Sequence, residues 1–365
     1  MTSFKRATRT RRGAAAVALL ASMTFAVGLS GVSSPAAAKT PTGVTAGKDW
    51  QTGRLPQGVS KSKIDALVSA AMGSRTNRVR VRSVLITIDD RIVYERYHPL
   101  DSRTTLLDTF SVSKSIVATI IGMLIADGKL TLDQPAPVAA WSSPDDPRQA
   151  ITIRNLLHMS SGLAWKEDYS APDSSAVAML RAPVASDYAT SLPLEFQPGS
   201  SFEYNSGNTA ILMRIIIDTL GGTAATEAYI KQRLLDPLGI KKVLYQRDSS
   251  GRIVGFMGIN LAARDLARFG LLYLRNGVWG TKTVITPEWV AFSRTASSVS
   301  PRYAGHWWTY QDAYEAEGYY GQLLTVSNNK KMVMVINTAF AGSSTEQWAK
   351  ATGLRDALYA LFPAA

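Results

Sequence analysis

Three times in this sequence a serine is followed three residues later by a lysine: Ser60 and Lys63, Ser111 and Lys114, Ser327 and Lys330. One helical turn puts two such side chains on the same face, where the amine can take the hydroxyl proton and leave an oxygen able to attack a carbonyl. The nucleophile-elbow pattern Gly-x-Ser-x-Gly, another route to an activated serine, does not occur. Chance supplies the Ser-x-x-Lys pattern about once or twice in a chain of this length, so the surroundings must decide.

Only Ser111 has surroundings that suit the chemistry. Ser60 lies in a Lys-rich, exposed-looking segment, and Ser327 begins the polar stretch Ser327-Asn328-Asn329-Lys330 between two apolar runs. Ser111 opens the apolar segment 112–125, which places it at a helix start, where unpaired main-chain N–H groups favour developing negative charge. Taken alone, the pattern is more often a helix-capping serine followed by a surface lysine. The chain has no cysteine, which excludes a thiolate nucleophile, a disulfide and a Cys-based zinc site. His98, His158 and His306 are far apart and form no His-Glu-x-x-His pair, so neither a metal nor a cofactor is expected.

The elements that must position Ser111 can be traced in outline. A helical pattern covers 61–72. Apolar runs at 82–88 and 92–97, separated by Asp89-Asp90-Arg91, predict a hairpin, and runs at 322–326 and 332–336 predict a second one. Helical patterns cover 115–126, closed by Gly128, and 209–220, closed by Gly221-Gly222; a last helix is expected from Thr345 toward Phe362. Strands at both ends with helices between predict an α/β (α+β) chain in which one antiparallel sheet, built from about 39–112 and 250–365, carries a helical lobe of about 113–249.

Residues 1–38 are expected to stand outside that fold. Lys5, Arg6, Arg9, Arg11 and Arg12 precede an apolar stretch from Ala14 to about Leu29, and Pro35-Ala36-Ala37-Ala38 offers small residues for cleavage before Lys39. The stretch is short for a membrane span, so an exported protein without a stable span is expected, with Thr10-Arg11-Arg12 leaving a twin-arginine route open beside the general one. The leader holds five of the 40 Lys and Arg residues and no acid, so the formal charge of +12 falls to +7 without it. The remaining basic residues are scattered among acids, with nothing longer than the Lys241-Lys242 and Lys330-Lys331 pairs, so a nucleic-acid partner is not expected.

Five blocks in order then resemble the class C β-lactamase and penicillin-binding family of serine hydrolases. They are Asp108-Thr109-Phe110-Ser111-Val112-Ser113-Lys114-Ser115 with Ala126-Asp127-Gly128-Lys129-Leu130; Ile151-Thr152-Ile153-Arg154-Asn155-Leu156-Leu157-His158-Met159-Ser160-Ser161-Gly162-Leu163; Pro198-Gly199-Ser200-Ser201-Phe202-Glu203-Tyr204-Asn205-Ser206; Leu235-Asp236-Pro237-Leu238-Gly239-Ile240; and Ala263-Arg264-Asp265-Leu266-Ala267-Arg268-Phe269-Gly270. The resemblance implies a β-lactamase/transpeptidase-like fold and a serine hydrolase in which Ser111 forms an acyl-enzyme and Lys114 and Tyr204 handle its proton. It also implies an oxyanion hole from the main-chain N–H groups of Ser111 and Tyr319.

Two departures bear on substrate. The family's Tyr-x-Asn stands here as Tyr204-Asn205-Ser206, and its Lys-Thr-Gly is replaced by Ala316-Glu317-Gly318, which removes the cation that faces a substrate carboxylate in β-lactam-active relatives. The pattern is similar to the branch of 6-aminohexanoate-dimer hydrolases and carboxylesterases. That implies a small-molecule or short peptide-like ester or amide substrate, with Tyr169, Ser206, Asn260 and Gly318 as candidate substrate contacts. A β-lactamase or D-Ala-D-Ala carboxypeptidase, and a non-catalytic cell-wall or peptide-binding protein of the same fold, are the alternatives. The sequence leaves the oligomeric state open.

Overall fold

The computed structural model describes residues 49–365; the leader expected at residues 1–38 lies outside them. Strand β1 (Val81–Ile88) is apolar on both sides: Val84 and Ile86 enter one core, and Leu85 enters another. A strand with two apolar faces needs cover on both. The hairpin reading is met by β2 (Arg91–Tyr97), joined to β1 through Asp89 and Asp90, both with positive φ (47° and 66°), as a tight two-residue turn requires.

Four strands from the C-terminal part complete the sheet: β3 (Trp308–Tyr310), β4 (Ala313–Gly318), β5 (Gln322–Ser327) and β6 (Met332–Thr338). The order is β2-β1-β6-β5-β4-β3, antiparallel throughout, so the two chain ends meet at the β1/β6 pair. Helices α1 (Lys61–Met72) and α5 (Ser344–Leu361) cover one face, where Ile64, Val68, Leu354 and Leu358 pack on Val84, Ile86, Met334 and Ile336.

On the other face lie α2 (Val112–Ala126) and α4 (Ala263–Leu274), with α3 (Ser206–Leu220) behind them. This core runs without a break from Leu324 and Val335 in the sheet to Ile116, Ile211 and Leu212 in the helices. Gly270 lets α4 sit directly on the sheet, since a Cβ there would come within 2.6 Å of Val333 and 2.9 Å of Leu324. Thirteen of the fifteen residues of α2 are buried, so the helix that begins beside Ser111 is fixed from all sides. Among the described residues no helix is long and apolar enough to cross a membrane.

Candidate active site

The three Ser-x-x-Lys pairs differ in what their serines do. Ser60 caps α1 by accepting a hydrogen bond from the main chain of Lys63, and Ser327 accepts from the main chain of Lys330 in the β5/β6 turn. Ser111 stands at the N-cap of α2 but makes no side-chain cap, so its hydroxyl remains available. Lys114 Nζ lies 2.8 Å from Ser111 Oγ, and also donates to Ser206 Oγ (2.9 Å) and to the main-chain oxygen of Phe256 (3.1 Å). The lysine side chain is 1% exposed. Burial lowers its pKa to about 8, against an opposing pull from the charge of Glu167.

Tyr204 and Ser206 are held by the start of α3. Asn205 caps that helix by accepting from the main chain of Asn208, which fixes the residues on either side of it toward Lys114. The Tyr204 ring stacks on Trp308 (centroids 5.5 Å apart, 24° between planes), meets Tyr303 edge-on at 5.9 Å, and lies 5.1 Å from Lys114 Nζ. Burial, reinforced by the charge of Glu167, pushes its phenol well above the ordinary value, while a bond with the Ser111 side chain works the other way. The phenol therefore keeps its proton near neutrality and can serve as an acid.

The turn that presents Ser111 is built to close tolerance. Phe110 has φ 44°, a left-handed backbone that non-glycine residues adopt only when their surroundings enforce it, as at reactive sites. Its ring packs against Tyr319 (6.0 Å) and Phe340 (5.2 Å). Gly318 ends β4 against the carbonyl of Thr109, where a Cβ would come within 2.4 Å of that oxygen. Tyr319 follows at once, and among the described residues the main-chain N–H groups of Ser111 and Tyr319 are given to no acceptor. Two such donors beside the Ser111 hydroxyl suit an oxyanion.

The candidate substrate contacts divide. Tyr169 is brought into the site: its hydroxyl lies 3.3 Å from Ser206 Oγ and its ring 5.5 Å from that of Tyr319. Ser206 is fully buried, and its hydroxyl oxygen accepts a hydrogen bond from Lys114. Asn260 accepts from the main chain of Thr109 (3.1 Å) and donates to Asp108 (3.2 Å); its amide is committed to the turn before Ser111. Gly318 matters for the space it leaves. Ala316 is 1% exposed within the apolar core, so no cation faces the site from that position. His306 bridges Thr209 and the main chain of Leu157, and burial lowers its pKa to about 3, so it is a neutral packing group.

One residue of the site was missed in the sequence. The Glu167 carboxylate accepts from Ser206 Oγ (2.5 Å), Ser206 N (2.9 Å), Tyr169 OH (2.9 Å) and Trp165 Nε1 (2.6 Å). Four donors converging on one buried-side carboxylate, beside a lysine, form a charge-assisted network. The only signal is its position within Trp165-Lys166-Glu167-Asp168-Tyr169, which no local spacing links to Ser206.

The family model described as Beta-lactamase matches residues 64–358. A 6-aminohexanoate-dimer hydrolase from Paenarthrobacter ureafaciens is 27% identical over 270 residues, 65% of this chain and 67% of that one. Esterase EstB from Burkholderia gladioli is 27% identical over 213 residues, 49% of this chain and half of the esterase. Among solved structures, a penicillin-binding protein homologue from Caulobacter crescentus superposes with a TM-score of 0.63 at 15% identity, covering 85% of this chain and 99% of its own, a likeness of fold.

Proposed function

The chain belongs to the beta-lactamase family, a family of serine hydrolases, and from that premise we propose that it cleaves an ester or amide with no carboxylate beside the scissile bond, through an acyl-enzyme on Ser111. The observation that carries this reading is the buried amine of Lys114, 2.8 Å from the Ser111 hydroxyl and with its proton affinity lowered to about 8. A lysine in that state is available as a neutral base near physiological pH, which an exposed lysine is not.

In the proposed cycle the Ser111 oxygen attacks the carbonyl carbon as its proton passes to Lys114. The carbonyl oxygen takes the negative charge and is met by the N–H groups of Ser111 and Tyr319. As the carbonyl re-forms, the alcohol or amine departs with a proton from Tyr204, which Lys114 restores. Water then attacks the acyl carbon, gives its proton to the same relay, and releases the acid with Ser111 reprotonated.

The substrate class rests on Ala316, since without a cation on β4 a carboxylate beside the scissile bond loses a charge-assisted contact of roughly 1.5 to 3 kcal/mol. The relatives named as a 6-aminohexanoate-dimer hydrolase and an esterase support linear amides and esters over lactams. Residues 1–38 support export, through their basic start, apolar stretch and small-residue end. A panel of p-nitrophenyl esters, linear amides and a chromogenic cephalosporin tests the substrate reading. Ester or linear-amide turnover should exceed cephalosporin turnover by at least about tenfold in kcat/KM; efficient cephalosporin hydrolysis would make the lactamase reading the leading one.

A further inference from the structure

A base works only if its lone pair faces the proton it is to take, and the hydrogen bonds around Lys114 determine where that lone pair points. The amine has three neighbours within hydrogen-bond distance: Ser111 Oγ, Ser206 Oγ and the Phe256 carbonyl. Neutral, it has two N–H donors and one lone pair. The Phe256 carbonyl has no proton, so it must receive one N–H. The lone pair therefore faces either Ser111 or Ser206, and the choice depends on which serine hydroxyl has its proton free.

Glu167 makes that choice. Ser206 has a single O–H, and its oxygen lies 2.5 Å from Glu167 Oε1, a short charge-assisted bond in which only the hydroxyl can donate. With its proton held there, Ser206 can only accept from Lys114. The second N–H of the amine goes to Ser206, and the lone pair is left facing Ser111. We propose that Glu167 is a positioning residue that, through the Ser206 hydroxyl, aims the neutral Lys114 amine at the Ser111 proton. This inference rests on the proposed role of Ser111 as nucleophile.

The geometry also makes an isosteric test possible. Glu167 Oε2 receives two N–H groups that cannot reverse, from Trp165 Nε1 and Ser206 N. In Glu167→Gln the amide oxygen must therefore take that side, and its NH2 must face Ser206 Oγ and Tyr169 OH. The NH2 then donates to Ser206, whose own proton is freed to turn toward Lys114 and occupy the lone pair. The substitution keeps every heavy-atom contact but reverses the polarity of two hydrogen bonds, those with Ser206 Oγ and Tyr169 OH, of which only the first touches Lys114. It also removes the negative charge that opposes the effect of burial on Lys114. Of the other ionisable groups packed around the amine, Tyr204 and Tyr169 are held as neutral phenols by burial, and His306 is neutral.

The second-order rate of fluorophosphonate labelling at Ser111, followed against pH, tests the proposal without requiring the natural substrate. In labelling, the serine oxygen bonds to phosphorus, fluoride leaves, and the serine proton goes to Lys114. Glu167→Gln should slow labelling at the alkaline plateau by about 10²-fold, in the range of lost acid–base assistance, with unchanged melting temperature. Its ascending limb should move to lower pH by about 1 unit. Ser206→Ala should also slow labelling, and adding Glu167→Gln to it should have little further effect, because the group through which Glu167 acts is gone. Labelling of Glu167→Gln within about threefold of wild type, or multiplicative losses in the double variant, would overturn the inference while leaving Ser111 as nucleophile. Wild-type protein that takes no label at Ser111 would overturn both.

Discussion

Lys114 Nζ lies 5.1 Å from the centre of the Tyr204 ring, the lysine buried and the tyrosine half-buried, and both are within reach of the Ser111 hydroxyl. Burial acts on the two in opposite senses: it lowers the proton affinity of the amine and raises that of the phenol. One environment thus yields a base and an acid on either side of one hydroxyl.

Lys114→Ala and Tyr204→Phe should therefore each lower kcat by about 10² to 10⁴ on an ester substrate, with the fold intact by circular dichroism. The two act on one proton, so the double variant should lose far less than the product of the single losses. Multiplicative losses in a double-mutant cycle would show that the groups work independently.

The pH profile follows from the same pair. Lys114 is active when neutral, so kcat/KM should rise as pH increases through about 8. The alkaline decline should lie above the ordinary phenol range, since Tyr204 must keep its proton and burial pushes its value up. A rise centred in the carboxylate range, measured on the free enzyme through kcat/KM, would transfer the base role from Lys114 to an acidic residue.

Gly318 gives a prediction about space. Its φ is ordinary, and it needs to be glycine only because a Cβ would press on the Thr109 carbonyl at 2.4 Å. Gly318→Ala should push β4 away from the turn that carries Ser111 and displace the Tyr319 N–H, lowering kcat by about tenfold to a hundredfold. Steady-state kinetics on the folded variant checks this; unchanged kcat would remove Tyr319 from the oxyanion hole.

A half-buried acid gives a prediction about stability. Glu317 stands two residues from Glu315 on β4, and desolvation followed by the Glu315 charge holds its carboxyl well above the ordinary range. The folded state therefore binds a proton that the unfolded chain releases. The stabilisation is complete below the ordinary carboxylate pKa and is lost as pH rises through the elevated one. Glu317→Gln, which mimics the protonated form, should flatten the fall in melting temperature between about pH 5 and about pH 8. Parallel curves for variant and wild type would contradict this.

The parts of the molecule legible in the sequence were those with a period or a long apolar run. The two hairpins showed through their apolar strands, and the helix behind Ser111 through its largely apolar segment, which the structure places as Val112–Ala126. The edge strand Trp308–Tyr310 has three residues and offers too little pattern to be seen. Glu167 was invisible for a different reason. Its importance comes from meeting Ser206, 39 residues away, through a hydrogen bond that no helical or strand spacing encodes. Asn260 is a sequence candidate for substrate contact, but its bond to the turn before Ser111, 151 residues back, is not encoded by any local spacing. Local physics places elements, and the long-range bonds that assemble a site become visible only when the elements have been packed.

The most direct test of the whole account is peptide mapping by mass spectrometry after fluorophosphonate treatment, paired with turnover of Ser111→Ala. One adduct per chain on the peptide containing Ser111, absent from the alanine variant and matched by loss of its hydrolytic turnover, is the predicted result. An adduct on Ser60 or Ser327, or undiminished turnover in Ser111→Ala, would contradict it.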